Sequence, residues 1–375
     1  MKYKSPKAWK ISEFSDVAKV VTGSTPLTSH PEYYGDFVPF IGPSELGYSV
    51  PITTSTKNLS ELGSKKARIL PKDSVLVCCI GATIGKVGFA GTELVTNQQI
   101  NPLVFDERKV FSRYAFYYCQ TIERLIRHQG SSTTLPILPK GRFQELKIPL
   151  PPLEEQKRIA AILDKADRIR RKRQEAIRLT EELGRSIFLD MFGDLFAFLT
   201  GNQKHDRDFL RCKLGDQITL QRGFDLLKKD CAEGMYPVIS SGGIHTHHDQ
   251  CKAKGLSVLL GRKGSVGRVH YVEDNYWPHD TTLWIKDFNN NNPVFVYHFF
   301  KLFPILRFEA STASPTLNRN RLHPVQVFLP DKELQIKFAN SISIINKYES
   351  RNSLHFSQSE DLFNSLLQRA FRGEL

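Results

Sequence analysis

The second half of the chain repeats the first at an offset of 179 residues. Residues 148–156 align with residues 327–335, and residues 180–188 align with residues 359–367 at the same offset. A repeat of this length is typical of a duplicated domain and not of a solenoid, whose units are only about 20–50 residues long. The chain therefore has to fold as two copies of one structural plan, and we expect it to perform one kind of task at two places.

The earlier part of each half aligns as well, with offsets that shift along the chain. Shifting offsets are typical of surface loops whose lengths differ between two copies of a domain. The aligned pairs include Gly23 with Gly223, Ile41 with Ile239, Lys86 with Arg268, and Asn97 with His279.

The composition predicts a globular protein with two ordinary cores. The chain has 375 residues, of which 40% are hydrophobic, and it contains no run of 18 apolar residues. Its first residues lack the apolar segment of a secretory signal, so we expect neither secretion nor a membrane span. The six cysteines form no CxxC pair, which favours reduced thiols and a cytoplasmic location.

The net charge of +13 is concentrated in two segments. Residues 1–152 carry 19 Lys/Arg and 12 Asp/Glu, and residues 209–330 carry 15 and 10. Basic surfaces attract nucleic-acid phosphates without reading sequence, because binding releases condensed counterions. A protein that is merely basic would show the same total, but the duplication of the basic segment favours a nucleic-acid-binding protein.

A heptad pattern predicts two long helices. Between Glu154 and Leu195 there is no proline, and apolar positions recur in alternating steps of three and four residues over four heptads. This spacing predicts a coiled-coil helix about 60 Å long, and the same frame moved by 179 residues gives its partner. The predicted seam positions are 159, 162, 166, 169, 173, 176, 180, 183 and 187 in the first helix, and 338, 341, 345, 348, 352, 355, 359, 362 and 366 in the second.

We predict that these two helices pair antiparallel. Ile159 would then face Leu366, and Arg173 would lie opposite Asn352 in a polar central layer. Such a layer lowers stability but fixes register and orientation, so Arg173 and Asn352 are the predicted register residues. The alternative is that the helices splay and that both side chains face solvent.

The fold class that follows is α+β, with two tandem mixed α/β domains that are each followed by a long α-helix. Short β-branched runs predict strands at residues 74–77 and 257–260, and residues 114–127 and 293–306 are predicted to be largely helical. The predicted boundaries are residues 1–152 for the first domain, 153–195 for a central spacer helix, 196–208 for a linker, 209–330 for the second domain and 331–375 for a C-terminal spacer helix.

A glycine turn followed by a cation occurs in both halves. Residues 81–86 resemble a phosphate-binding loop, but the string has one residue too few and Val87 where magnesium needs a Ser or Thr. A strand followed by such a turn exposes backbone amides and a cation, which suits contact with a DNA phosphate. A hairpin turn with a solvated cation is the alternative for each of these residues.

Other polar residues suit the edges of bases. Arginine can read guanine and glutamine can read adenine in the major groove, and hydroxyl-rich stretches with cations precede each long helix, at residues 131–142 and 311–321. The run HTHH at residues 245–248 lacks the second ligand group of a zinc site, so we predict a loop that contacts bases and not a metal. The candidate DNA-binding residues are Lys86, Gln98, Gln99, Lys140, Arg142, His245, Arg262, Lys263, Arg268, Arg319 and Arg321.

The sequence predicts no catalytic site. Residues 145–147 (ELK) and 155–157 (EQK) contain the ExK fragment of a nuclease site, but the aligned residues of the other half read PVQ and LQI. A nuclease with its own active site is therefore the least favoured interpretation. We expect this chain to hold neither a cofactor nor a metal.

On these residues the chain resembles the specificity subunit of type I restriction-modification systems. The resemblance covers nearly the whole chain, and the motif LPPLEEQ at 150–156, its counterpart LPDKELQ at 329–335 and the helix end LLQRAFRGEL at 366–375 carry it. In the second domain GRKG at 261–264, followed by WPHDTT at 277–282, looks like the pattern of the family. The first domain departs from that pattern at the aligned positions.

The resemblance implies a division of labour. This chain would choose the sequence of double-stranded DNA and read a split target, with one block for each target-recognition domain. Modification subunits would bring S-adenosylmethionine and methylate adenine, and restriction subunits would bring Mg and ATP-driven translocation and cleavage. The alternative is a stand-alone bipartite DNA-binding or regulatory protein that needs no methyltransferase.

An apolar stripe on the outside of the helices would favour partner docking over the stand-alone alternative. Ile177, Phe188, Met191 and Phe192 lie off the predicted seam or at its end, and they are the residues that suggest such a stripe.

The length of the helices predicts the gap in the target. Helices about 60 Å long, set against a DNA turn of about 34 Å, would hold the two domains about one and a half to two turns apart. Deletion of one heptad from both helices is expected to shorten the preferred gap, as measured by mapping of the recognised sites. An unchanged gap would contradict the idea that the helices act as a ruler.

Overall fold

Within the described residues each half of the chain contributes nine strands, and these strands pair in the same order. The computed structural model describes residues 9–130, 135–196, 199, 207, 209–227, 233–309 and 315–375. Most of the predicted linker, and the hydroxyl residues predicted at 131–134, 311 and 312, lie outside the described residues.

The elements of the two halves follow each other in a similar order. The first half contains β1 (Lys10–Glu13), α1 (Phe14–Val17), β2 (Ala18–Val20), β3 (Tyr34–Ile41), β4 (Asn58–Leu59), α2 (Glu61–Ser64), β5 (Val75–Cys78), β6 (Val87–Phe89), β7 (Val95–Thr96), β8 (Ile100–Phe105), α3 (Ser112–Thr121), α4 (Glu123–Gln129), α5 (Lys140–Gln144), β9 (Lys147–Leu150) and α6 (Leu153–Phe192). The second half contains β10 (Leu210–Lys213), α7 (Leu214–Gln217), β11 (Thr219–Arg222), β12 (Tyr236–Ser240), β13 (Gly243–His248), β14 (Ser257–Gly261), β15 (Val269–Val272), β16 (Trp277–Pro278), β17 (Thr282–Asp287), α8 (Pro293–Leu302), α9 (Arg319–Leu322), β18 (Gln326–Leu329) and α10 (Lys332–Arg372).

The sheet topology confirms the duplication. The first half has a four-stranded sheet in the order β2-β8-β5-β6, a three-stranded sheet β4-β3-β7 and a pair β1-β9. The second half has the same three sheets, in the orders β11-β17-β14-β15, β13-β12-β16 and β10-β18. In each three-stranded sheet one strand pair is parallel, β3 with β7 and β12 with β16. The predicted α+β fold with two tandem mixed domains and two long helices is therefore confirmed.

The chain forms two compact units, and each unit contains part of both long helices. The first unit comprises Met1–Gln174 and Leu354–Leu375, and the second comprises Glu175–Ser353. Each unit thus joins one globular domain with the beginning of one helix and the end of the other.

The core of the first unit is built around α3. Tyr114 and Tyr117 of α3 are fully buried, and their rings lie 5.2 Å from Phe371 and 6.2 Å from Phe363 of α10. Ile159 of α6 is buried in the same cluster. Each such side chain contributes about 1.5–3 kcal/mol when it is removed from water, so both helices are held firmly on this domain.

An ion pair adds direction to this packing. Arg113 of α3 lies 2.7 Å from Asp164 of α6, and the hydroxyl of Tyr117 donates to the same carboxylate at 2.7 Å. The guanidinium of Arg113 also stacks over the ring of Phe116 at 4.6 Å and donates to the carbonyl of Ser49 at 2.9 Å. A half-buried, aromatic-flanked pair of this kind is screened less by solvent than a surface pair.

The core of the second unit is a cluster of phenylalanine rings. Phe188 and Phe192 of α6 lie 4.8 Å apart, and they contact Phe295 of α8 and Phe338 of α10 at 5.1–5.8 Å between ring centroids. Phe188 stacks on Phe295 and the other pairs pack edge to face, and both geometries are favourable beyond the area that they bury.

The same cluster corrects one prediction. Phe188 and Phe192 do not belong to an outer docking stripe, because they are 1% and 0% exposed in the second core. Ile177 and Met191 are half-buried.

In both units the two long helices run antiparallel, as predicted. In the first unit Arg158 of α6 donates to the carbonyl of Leu375, and Arg170 lies 3.6 Å from Glu360. In the second unit Phe188 of α6 packs on Phe338 of α10. Four residues earlier in α6, a Cβ on Gly184 would lie 3.5 Å from Ile342, which is four residues later in α10.

Every second position of the predicted seam is buried or half-buried, as predicted. At several of the other predicted positions the buried residue is instead the next residue along the helix. Ile159 and Ala166 are buried, but Ile169, Leu183 and Leu362 are 44%, 51% and 54% exposed. At four of the intervening positions the buried residue is the next one along, namely Leu163, Gly184, Ile342 and Phe363. The reason is that each helix packs on its globular domain as well as on the other helix, which turns the buried face away from the predicted a/d stripe.

Arg173, near the middle of α6, contacts His355 in the first unit. Arg173 and Asn352 are both half-buried. Arg173 Nη1 lies 3.1 Å from Nδ1 of His355, which is about one helical turn from Asn352. A layer that pairs Arg173 with Asn352 stays a prediction.

The corrected seam predicts which leucines of α6 matter for stability. Leu163→Ala is expected to lower the free energy of unfolding by about 2–5 kcal/mol, because it leaves a cavity in the first core. Leu183→Ala is expected to change it by less than about 1 kcal/mol, because that side chain is half exposed. Chemical denaturation of the two variants would measure the difference, and a larger loss for Leu183→Ala than for Leu163→Ala would support the original a/d seam, which includes position 183 and not position 163.

His298 gives the second unit a pH dependence. Its side chain is 6% exposed, its ring lies 5.3 Å from Phe338, and burial, reinforced by Lys301 and opposed by Asn346, lowers its pKa to about 4. Between a pH of about 6.5 and about 4 the unfolded chain binds a proton that the folded chain does not, so stability should fall by roughly 3 kcal/mol as the pH is lowered. Denaturation over this range should show a correspondingly weaker fall for His298→Gln. An equally steep fall in that variant would assign the pH dependence to other groups.

Candidate nucleic-acid interfaces

Three loops of the second unit converge on Thr281. The loop that contains Thr281 lies between β16 and β17. The backbone N–H of Ser241, from the turn between β12 and β13, donates to Thr281 Oγ1 at 3.2 Å. The backbone N–H of Arg262, just after β14, donates to the Thr281 carbonyl at 2.7 Å. The loops are therefore joined by hydrogen bonds at one end of the strands, where rigid elements can present polar side chains.

Four of the predicted residues come together around this point. Arg262 donates from Nη1 to the carbonyl of Asp280 at 3.1 Å, and Arg268 donates from Nη1 to the carbonyl of Gly242 at 3.0 Å. Lys263 is exposed, and its backbone N–H donates to Thr281 at 3.2 Å. The fourth is His245, whose exposed ring lies 6.2 Å from that of His279 in the Thr281 loop.

The histidine run was predicted as a loop, and that prediction was wrong. Residues 243–248 form β13, which pairs antiparallel with β12. His245 and His247 are exposed on this strand, while His248 is buried against Trp277 at 4.8 Å between ring centroids. The alternation of a strand therefore separates one structural imidazole from two that face solvent.

Charges around Asp280 fix the shape of this surface. Asp280 is bound by Arg222 at 3.2 Å and lies 3.1 Å from His279. His270 lies 3.0 Å from the carbonyl of Ser241, and burial, opposed by this contact and reinforced by Arg268, lowers its pKa. A neutral imidazole at His270 leaves Arg262, Lys263 and Arg268 as the dominant positive charges of the loops.

Arg319 and Arg321 lie on the segment that pairs with Lys263. Lys263 forms an isolated bridge with Thr316, and the N–H of Leu317 donates to the carbonyl of Arg262. The short helix α9 starts directly after this bridge, with Arg319 and Arg321 exposed. Arg321 donates to the carbonyl of Glu309 at 2.8 Å.

The first unit repeats the framework of this surface with other side chains. The N–H of Asn97 donates to the Ile41 carbonyl at 3.1 Å, and the N–H of His279 donates to the Ile239 carbonyl at 2.9 Å. A Cβ on Gly23 would lie 1.9 Å from the Asn97 carbonyl oxygen. On Gly223 it would lie 2.1 Å from the carbonyl oxygen of His279. Both halves therefore need glycine at this position, because the segment that follows β2 or β11 passes directly beneath the loop.

Gln98 and Gln99 lie together on this framework. Gln99 is held from both sides: its Oε1 accepts from Asn97 Nδ2 at 3.0 Å, and its Nε2 donates to the carbonyl of Ile80 at 3.4 Å. Gln98 is exposed and accepts from the hydroxyl of Thr25 at 2.5 Å. Amide side chains oriented in this way suit recognition of base edges.

The three predicted DNA-binding cations of the first unit are more dispersed. Lys86 follows the turn between β5 and β6, where Gly81 and Gly85 have φ values of +95° and +92°. It is half-buried against Gly47. Lys140 and Arg142 are exposed on α5, which follows a segment whose Ile137 pairs with Ile80.

Several residues of these surfaces escaped prediction from the sequence. Ser241 and Thr281 join the loops of the second unit, and Arg222 is bound to Asp280, yet short hydroxyls and a single arginine carry no distinctive spacing. The alignment of Thr281 with Gln99 was the available signal, because it placed Thr281 in the loop that presents Gln99 in the other copy.

The structure shows no metal centre or membrane segment in the part of the chain that it describes. No three His, Cys, Asp or Glu side chains there are grouped as they would be to hold a metal ion. Among the described helices none is long and apolar enough to cross a bilayer.

Comparison with known proteins identifies the family. A family model described as the type I restriction modification DNA specificity domain matches residues 6–179 and 207–354. The two matched segments cover most of the chain and correspond to its two halves. The protein therefore belongs to the family of type I restriction-modification specificity subunits.

Individual relatives agree with this assignment. The chain is 29% identical over 234 residues to the specificity subunit of the type I restriction enzyme MjaIX from Methanocaldococcus jannaschii, which covers 59% of this chain and 54% of that protein. It is 32% identical over 183 residues to the HindI specificity subunit of Haemophilus influenzae, covering 46% of this chain and 40% of that protein. These matches thus span about half the length of the curated relatives.

A solved structure shares the fold over the full length. The type I restriction-modification S subunit from M. genitalium superposes with a TM-score of 0.67 at 16% identity, over 99% of this chain and 98% of that chain.

Lys263 offers a test of the second surface. Lys263→Ala is expected to weaken DNA binding by a similar factor on all sequences, and to reduce the slope of log K against log salt by about 0.9, because one phosphate contact is lost. The matched control is Lys254→Ala, an exposed lysine that precedes β14 instead of following it. Fluorescence anisotropy at several salt concentrations would measure both slopes. An unchanged slope for Lys263→Ala would remove this lysine from the interface.

Proposed function

We propose that the protein is the sequence-reading subunit of a type I restriction-modification complex and that it recognises a split target in double-stranded DNA. One block would be read by the loops around Gln98 and Gln99, and the other by the loops around Arg262 and Lys263. The observation that carries the proposal is that one framework, with the same glycine and the same backbone bond, presents different side chains in the two halves. Such an arrangement suits two recognition events that differ in sequence.

The proposal assigns the chemistry to other subunits. The chain would contribute binding and positioning, while modification subunits would bring S-adenosylmethionine and restriction subunits would bring ATP and Mg. The complex would act on DNA in the cytoplasm.

Exposed apolar residues on the long helices support docking of modification subunits. Ile169 and Leu362 are exposed in the first unit, and Leu183 and Tyr348 are exposed in the second. All four occupy the same heptad position, so each unit exposes an apolar side chain at this position on both of its antiparallel helices. A contiguous apolar patch on the surface is typical of an interface with a partner, and we propose that these side chains contribute to one.

Mapping of methylation would test the proposal. The chain, co-expressed with its modification subunit in a host that lacks methylation, is expected to yield methyladenine at two short sequence blocks with a fixed gap. Exchange of residues 209–330 for those of a relative should then change one block only. A chain that purifies alone, binds DNA and produces no new methylation would instead support the stand-alone DNA-binding protein.

A further inference from the structure

A glutamine is almost completely buried in the first turn of each long helix. Gln156 of α6 is 1% exposed and Gln335 of α10 is 2% exposed. The two residues align at the offset of 179. A buried amide is costly unless its polar atoms are bonded, so the same burial in both halves points to a task that both copies need.

Gln156 joins three parts of the first unit. Its Oε1 accepts from the N–H of Phe111 at 2.8 Å, and its Nε2 donates to the carbonyl of Lys109 at 3.1 Å and to the carbonyl of Pro151 at 2.9 Å. Phe111 immediately precedes α3, and Pro151 lies in the linker before α6. One amide therefore ties the start of the long helix to the loop that leads into the central helix of the domain.

Gln335 makes three corresponding connections in the second unit, one of them to a side chain instead of a backbone carbonyl. Its Oε1 accepts from the N–H of Asn292 at 2.8 Å, and its Nε2 donates to Asn291 Oδ1 at 2.8 Å and to the carbonyl of Pro330 at 3.0 Å. Asn291 in turn donates to the carbonyl of Gln217 at 2.9 Å, next to β11. The hydrogen bonds of Gln335 thus continue through Asn291 to the end of α7, two residues before β11 begins.

The hydrogen bonds of Gln156 and Gln335 restrict orientation, which apolar packing alone does not do. Burial of apolar side chains is non-directional, whereas hydrogen bonds have narrow ranges of distance and angle. A planar amide with three partners fixes the direction in which the helix leaves its domain. A change of about 5° at the start of a helix about 60 Å long moves its far end by about 5 Å, which exceeds the rise of about 3.4 Å per base pair.

We propose that Gln156 and Gln335 are positioning residues that set the gap between the two blocks of the target. This inference rests on the proposed reading of a split target. Neither residue contacts DNA in the proposal. Each acts by fixing the direction of one long helix relative to the domain from which that helix starts.

The test replaces each glutamine with a side chain of similar shape that cannot form these bonds. Gln156→Met and Gln335→Met would be co-expressed with the modification subunit, and methylated sites would be mapped and sorted by gap. The matched control is Gln174→Met, an exposed glutamine on α6. Because one hydrogen bond shifts an equilibrium roughly fivefold, methylation at gaps one base pair longer or shorter should rise at least roughly fivefold relative to the wild-type gap, with both sequence blocks unchanged.

Each outcome decides between alternatives. A gap as sharp as that of the wild type, or loss of one block in a folded variant, would overturn the positioning role. If thermal melting shows that a methionine variant does not fold, Asn291→Ala removes one of the three bonds of Gln335 and should still broaden the gap; a sharp gap in that variant would also count against the proposal. Failure of the wild-type complex to methylate any split target would refute the proposed function itself, which is a separate result.

Discussion

Each globular core depends on side chains from both long helices. Phe371, near the end of α10, is fully buried against Tyr114 in the first unit, and Phe188, near the end of α6, is buried against Phe295 in the second. Removal of either helix end would expose aromatic rings whose burial is worth several kcal/mol. The helices are therefore part of the domains and not simple connections between them.

This shared packing explains why the recognition loops can differ while the framework stays constant. Gly23 and Gly223 lie under equivalent carbonyls, and the strands beneath the loops pair in the same order. The loops themselves carry amides in the first unit and cations in the second. Rigid strands that present variable loops allow one fold to serve different sequences.

Much of this fold could be predicted from the repeat. The alignment of Asn97 with His279 correctly identified two residues that make the same backbone bond, and the heptads correctly predicted that the two long helices pack together. The seam was misplaced at Leu183 because spacing along a helix does not reveal that a domain packs on one side of it. The candidate residues predicted in the second unit do lie close together in the structure. The role of Thr281 could not be predicted, because it depends on a tertiary contact with Ser241 that no local pattern encodes.

Hydrogen exchange of α3 tests the dependence of each core on both helices most directly. In the variant Phe363→Ala/Phe371→Ala the amides of α3 should lose protection, while those of α8 in the second unit keep theirs, because only the first core loses its α10 side chains. The control Leu362→Ala changes an exposed residue of the same helix end and should leave α3 protected. Full protection of α3 in the double variant would contradict the view that the end of α10 completes the first core.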